Sequence, residues 1–421
     1  MTTSDAAARP PGNWDPERSL SRLQRRWRWV AMCFALAAGL SFAGLRGLGL
    51  AEPAWRWAAP VALVMGAVLI VLYRSLPDNH RRGEAALFPD LGAANTVTLA
   101  RGCLLGILAG FLLFPRPSGG LAWLPALVYM AAAVTDFIDG YLARITNRST
   151  VLGQRLDMEI DSLGALLAVS LAVVYGQLPL WALLMGLARY LFVGGLAWRR
   201  RHGLAVHDLP ASIHGRIVAA LFMSFVAVVL WPVLDPAATR FAAIWCALPL
   251  AASFGRDWLL VSGSVDPASA AYQAAMCRLN RLLTGRLPLL LRMVAVACCA
   301  AVLVQALRSP QELAAGLQWP GVLAPQASAR LILALGLAGS IMTLLGLEAR
   351  LGALLLLFPA GASITNAGMT PINGLLLACA ITLLHTGSGD LSLWRPSDRL
   401  FLQRLGRPRG VGSVGDRPAQ R

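Results

Sequence analysis

From Trp29 onward the chain is a succession of long apolar stretches interrupted by short polar ones. A helix needs about 20 apolar residues to cross a bilayer, and roughly 17 is the working minimum. On that basis the pattern predicts spans at 29–45, 58–73, 97–114, 121–139, 159–176, 179–198, 214–234, 239–262, 288–307, 330–347, 351–368 and 372–386. None of these stretches alternates with period 2 between turn signals, which excludes a transmembrane β-barrel. The expected fold is all-α, a polytopic integral membrane protein with about 12 transmembrane helices.

The polar intervals carry the topology. Basic groups precede the first span (Arg25, Arg26, Arg28) and follow the second (Arg74, Arg81, Arg82), the fourth (Arg144, Arg148, Arg155) and the sixth (Arg199 to Arg201). Others follow the eighth (Arg278, Arg281, Arg286) and the last (Arg395, Arg399, Arg404, Arg407). All lie on the side of the N-terminus, whereas the opposite loops hold fewer, such as Arg116 between Pro115 and Gly120. Cytoplasmic loops are enriched in basic residues, so both termini are expected in the cytoplasm, with the bacterial inner membrane as the location. The first 28 residues are polar, contain Pro10, Pro11 and Pro16, and read as a disordered tail. After so long a leader, the first span reads as an anchor that stays in the membrane. The longest polar interval between spans, 263–285, is the best domain boundary.

Composition sharpens this picture. The chain is 57% hydrophobic and 14% charged, against about 25% charged in a soluble domain, which excludes a string of soluble domains as well as a disordered chain. The formal charge of +16 is scattered between apolar runs and matches loops facing anionic lipid, so no nucleic-acid partner is expected. The seven cysteines form no C-x-x-C pair and read as small buried hydrophobes.

Acidic residues are scarce, yet five of the 21 fall between positions 136 and 161, four of them aspartates. Asp136 and Asp139 are three apart at the end of one span; Asp157 and Asp161 are four apart at the start of the next. Each pair shares a helix face, and a short connection lets the pairs converge at the membrane surface. Carboxylates so placed must hold protons or cations. With no His or Cys among them, the all-oxygen donor set selects a hard divalent ion: magnesium, with manganese as a substitute. Four carboxylates suffice for two ions, an arrangement suited to in-line displacement at phosphorus. Gly140 and Gly153 allow close backbone approach by a diphosphate, and Arg144 offers a cationic fork for phosphate.

The stretch reads D-x2-D-G-x2-A-R-x8-G-x3-D-x3-D, with eight fixed positions at Asp136, Asp139, Gly140, Ala143, Arg144, Gly153, Asp157 and Asp161. It resembles the signature of the CDP-alcohol phosphatidyltransferase family at all eight. Upstream, Asn95, Thr98 and Arg101 resemble the family's N-x-x-T-x-x-R segment. Downstream, Ser212-Ile-His214-Gly215-Arg216 resembles its S-x-x-G-K segment with Arg in place of Lys, a change that alters hydrogen-bond geometry. The resemblance implies a six-helix domain over 91–265, two divalent ions on the four aspartates, and Asp161 as general base. It implies a CDP site at Gly140, Ala143, Arg144, Gly153, Asn95 and Thr98, release of CMP, and a homodimer. The expected donor is CDP-diacylglycerol or another CDP-alcohol; the acceptor is a small polar alcohol.

Arg189 interrupts an apolar run and, with Ser212 and Arg216, is a candidate for binding a phosphorylated acceptor such as glycerol 3-phosphate or inositol phosphate. His207 and His214 read as loop polarity, and Arg256-Asp257 as a buried charge pair. Around the six-helix domain lie an N-terminal hairpin (29–90), a cytoplasmic linker (266–286), a four-helix unit (287–405) and a second disordered tail (406–421). The four-helix unit, with Gly336, Gly339, Gly346 and a Gly-rich exit at 387–389, resembles the DoxX-like membrane family, and its His385 reads as a satisfied interfacial histidine. Two alternatives compete: a transporter using the aspartates as an ion path, and a scaffold built around a degenerate transferase domain. The acids sit at a helix end rather than at the bilayer midplane, which disfavours the transporter.

Overall fold

The computed structural model describes residues 16–49, 53–84, 86–146, 149–210, 212–308 and 325–394. Residues 1–15 and 395–421, and with them most of the first expected tail and all of the second, lie outside the described residues, as do Arg148, Arg395, Arg399, Arg404 and Arg407. Among the described residues there are thirteen α-helices: α1 (Pro16–Gly47), α2 (Ala54–Ser75), α3 (Gly92–Ala109), α4 (Leu124–Ile145), α5 (Val151–Val174), α6 (Leu183–Arg201), α7 (Ile213–Val229), α8 (Pro236–Val261), α9 (Ala270–Arg281), α10 (Leu287–Arg308), α11 (Pro325–Leu345), α12 (Ala349–Ala367) and α13 (Pro371–Thr386). Among the described residues the extended pairing is one isolated bridge between Leu347 and Trp394.

The chain is an all-α polytopic membrane protein. Nine helical segments among the described residues are long and apolar enough to cross a bilayer; α7 and α13 are shorter, and α5 is not among the nine. Every expected span falls on a helix, but hydropathy and helix length differ. Helix α5 starts at Val151, eight residues before the apolar window, because the carboxylate-bearing turns continue the helix out of it. Large apolar side chains face outward, with Leu63 74% and Trp245 63% exposed. So much apolar surface is untenable in water and ordinary in lipid.

Two expectations change. Residues 16–28 are helical rather than disordered, since Leu, Gln and Arg are good helix formers and Leu23 and Ser19 are buried against the rest of the unit. The polar interval at 266–286 contains α9, followed by a π-helical turn at Leu282–Arg286 that runs into α10. The described chain forms two compact units that part between Gly176 and Gln177. Polarity marks where the chain meets water, which need not be where packing is sparse.

In the first unit α3 is the hub, packing on α2, α4 and α5. Gly102 and Gly106, with Gly110 just past its end, recur every four residues and admit Val68, Met65 and Trp57 of α2, the close approach that small residues permit between membrane helices. In the second unit α6 packs on α8, where Gly195 receives the Trp258 ring. Helices α10, α12 and α13 share a core containing Ala295, Cys299, Leu356, Leu376 and Leu383, and Leu234, just beyond α7, joins it. His385 of α13 bonds the Ser224 hydroxyl of α7 at 2.7 Å, so it is satisfied as expected. The cysteines divide: Cys299 and Cys379 are buried, whereas Cys33 and Cys277 are exposed, contrary to the expectation for the set.

Candidate active site

The site begins at two helix ends. Helix α4 carries Asp136 and Asp139 in its last three turns; five residues later α5 starts and presents Asp157 and Asp161. The start of α5 is fixed by Thr150, whose hydroxyl accepts the Gly153 amide at 2.9 Å. Asn95 of α3 donates to that hydroxyl at 3.3 Å. Its side-chain oxygen occupies the space a Cβ on Gly153 would need. The glycine therefore has a packing reason besides ligand approach: it lets α3 and α5 meet.

Between the two carboxylate pairs lies Arg101 of α3, 3% exposed. Its guanidinium donates to Asp136 and to Asp157, and lies 3.1 Å from Asp161 and 3.5 Å from Asp139. Thr98, one turn earlier, donates to Asp139 at 2.8 Å. The four carboxylates expected to converge do so, and α3 is what brings them together. Arg101 belongs to the motif read from the sequence, yet it received no role there. The signal was a single cation three residues after Thr98 in a helix otherwise without charge, on the face that meets the aspartates.

Electrostatics decides what the cluster can hold. Ligand oxygens of Asp136, Asp139 and Asp157 lie within 4.8 Å of one another. Two like charges about 4 Å apart repel by about 4 kcal/mol at an effective dielectric of 20. Among the described side chains one guanidinium faces the four carboxylates, leaving a negative excess for protons or divalent cations to offset. Asp139 is buried, while the side chains of Asp136, Asp157 and Asp161 remain 53%, 43% and 44% exposed. The cluster has a cationic floor and an open side, and its all-oxygen donors fit a hard divalent ion.

The backbones of Gly140, Ala143 and Arg144 continue α4, and their side chains lie outside the described residues. The acceptor candidates belong to the other compact unit. Ser212 caps α7 by accepting the Gly215 amide at 3.0 Å. The same hydroxyl accepts a hydrogen bond from Arg256 at 2.7 Å and contacts His214, which is itself buried and bonded to Arg256. His214 is thus part of a polar cluster rather than loop polarity. Arg256 pairs with Asp257 at 2.7 Å, as the charge pattern suggested, although the pair is part-buried rather than sealed. Arg189 is part-buried on α6 and Arg216 is exposed on α7.

The comparisons with known proteins fall on the same stretch. One relative, a CDP-diacylglycerol--glycerol-3-phosphate 3-phosphatidyltransferase of Cereibacter sphaeroides, is 35% identical over 94 residues, which is 22% of this chain and 42% of that protein. A protein of the same description from Bacillus subtilis is 33% identical over 112 residues, covering 24% of this chain and 58% of its own length. The chain thus spans about half the length of the curated relatives it matches. No solved structure matches it. The family model for CDP-alcohol phosphatidyltransferase matches residues 91–253, from just before α3 into α8 and including all four aspartates and Arg101. Over residues 91–253 the chain is thus similar to the CDP-alcohol phosphatidyltransferases.

Proposed function

We propose that the protein transfers a phosphatidyl group from a CDP-linked lipid to a hydroxyl of a small polar acceptor, releasing CMP, in phospholipid synthesis. The observation that carries this reading is the convergence of four carboxylates from two helices on one buried guanidinium, within the residues that match the family. CDP-diacylglycerol is the donor and glycerol 3-phosphate the first acceptor to try, since both relatives are named for that pair.

Asp136, Asp139, Asp157 and Asp161 hold two magnesium ions, replaceable by manganese. When bound, such ions neutralise the diphosphate and stabilise charge on the attacking and leaving oxygens. Gly140, Ala143, Arg144 and Gly153, together with Asn95 and Thr98, form the CDP side of the site. Asp161 takes the proton of the acceptor hydroxyl. The oxygen so freed bonds to the phosphorus that bears the lipid, the bond from that phosphorus to the CMP oxygen breaks, and CMP leaves with the electron pair. Arg189, Ser212 and Arg216 receive the acceptor's phosphate. Both termini lie in the cytoplasm of a bacterial inner-membrane protein, which works as a homodimer.

The test is CMP release by the purified full chain with CDP-diacylglycerol, magnesium and a panel of acceptors. Release should require glycerol 3-phosphate, stop on chelation and return with magnesium or manganese. Asp161→Asn should lower it about 10³-fold, within the range for loss of a general base. Activity that survives Asp161→Asn or chelation would overturn the mechanism. Absence of release with every acceptor would return the chain to the transporter or scaffold reading.

A further inference from the structure

Outside the matched residues, α1 carries an ordered sequence of chemistries along one face. Positions 22, 25, 26 and 29 follow helical spacing, and the stripe continues through 32, 36 and 40. It reads Arg22, Arg25, Arg26, then Trp29, then Met32, Leu36 and Leu40. The three arginines are exposed, and Trp29, Met32, Leu36 and Leu40 are each more than half exposed. The order is basic, aromatic, aliphatic, which is that of a phospholipid and its interface: anionic headgroup, glycerol level, acyl chain.

The basic end of this face is a built groove. Arg22, Arg25, Arg26, Trp29 and Val30 form one wall, and Pro89 to Leu91 with Thr96 form the other, around a cavity of about 580 Å³. One carboxylate, Asp90, shares the lining with the three guanidinium groups. Helix α1 is held in place on its other side, where the Trp27 indole donates to the Leu69 carbonyl at 2.8 Å and stacks edge-on with Tyr73. The arginines are thus presented by an anchored helix rather than by a loose tail.

We propose that this groove binds the headgroup phosphate of an anionic phospholipid, with Arg22, Arg25 and Arg26 on the phosphate and the acyl chain along Trp29, Met32, Leu36 and Leu40. A free phosphate would satisfy the arginines alone, whereas a phospholipid also places its acyl chain along the lipid-facing residues that continue the stripe. Thr96 lies in the first turns of α3, one residue from Asn95, so an occupied groove braces the helix that organises the aspartates. The site is independent of phosphatidyl transfer, and its test uses a lipid that is neither the donor nor the acceptor in that reaction.

The full chain is reconstituted in nanodiscs of phosphatidylcholine with increasing phosphatidylserine, and bound phosphatidylserine is counted by native mass spectrometry after release into neutral detergent. The wild type should retain phosphatidylserine in preference to phosphatidylcholine. The triple variant Arg22→Gln, Arg25→Gln, Arg26→Gln should bind it at least tenfold more weakly while melting at the wild-type temperature in pure phosphatidylcholine. If that variant does not fold, Trp29→Ala alone should still weaken retention severalfold. A control triple of exposed arginines elsewhere, Arg200→Gln, Arg201→Gln, Arg278→Gln, should retain the lipid as the wild type does. Equal loss in the control means diffuse charge rather than a site, and overturns the proposal. Displacement of the lipid by millimolar inorganic phosphate overturns it too, because the groove is then a free-anion site.

Discussion

A guanidinium that is 3% exposed is tolerable in a membrane domain because four carboxylates surround it. An isolated buried charge costs several kcal/mol. The dependence runs both ways, since among the described side chains Arg101 is the cation that faces the aspartates. Arg101→Met should therefore lower the melting temperature of the chelated protein sharply, and magnesium should recover more of it in the variant than in the wild type. Melting curves with and without chelator measure this, and an equal magnesium shift in both proteins would count against it. Gly153 gives a second test. Gly153→Ala drives a methyl into the Asn95 side chain, which must then leave Thr150, and should cost about 1–2 kcal/mol, the usual size of a lost buried hydrogen bond. Pairing it with Asn95→Ala should cost less than the sum of the two single changes, because the clash is gone. The aspartates were legible because carboxylates are rare in this chain and their spacing is helical. The role of Arg101 was not, because a lone arginine near a span end looks the same whether it snorkels or pairs.

At the scale of elements, helices extend beyond their apolar windows. Helix α1 starts at Pro16 and α5 at Val151 because hydropathy reports the part of a helix that lipid touches, whereas helix extent follows local propensity and caps such as Thr150. Arg292 of α10 shows a connection that periodicity cannot disclose. It is 1% exposed and donates to the carbonyls of Thr343 and Leu344 at the end of α11, and to those of Ser388 and Asp390 after α13, at 2.6–3.1 Å. The last carbonyls of a helix lack partners within it, so one side chain satisfies α11 and ties down the exit from α13. Arg292→Leu should destabilise the protein by about 3 kcal/mol or more, given 1.5–3 kcal/mol for each charged hydrogen bond lost. Arg292→Lys should recover only part, since an ammonium lacks the planar fork. Thermal melting in detergent tests both.

For the whole molecule, the distribution of arginines predicts which loops face the cytoplasm. Alkaline phosphatase fused after Gly119 should be active on the far side of the membrane, and fused after Ser149 inactive. The reverse pattern would invert the topology and move the aspartate cluster away from the cytoplasmic CDP-lipid pool it is proposed to use. The same arginines serve different ends: those at 22, 25 and 26 stay exposed beside a groove, whereas Arg101 and Arg292 are sealed among acceptors. Net charge alone could not distinguish them, because it adds charges without regard to what surrounds each one.

The sequence by itself determined the helical class, the location of the expected spans and the identity of the four aspartates. Each follows from local quantities: apolar length against bilayer thickness, residue spacing against helix pitch, and the scarcity of acids. Tertiary structure alone decided that α3 sits as the hub, that Arg101 gathers carboxylates from α4 and α5, and that Asn95 fills the space left by Gly153. It also decided that Arg292 closes the ends of helices far from it in the chain, 51 to 98 residues away. These depend on which helix faces meet, and such meetings are set by packing between segments distant in sequence, which no local pattern encodes.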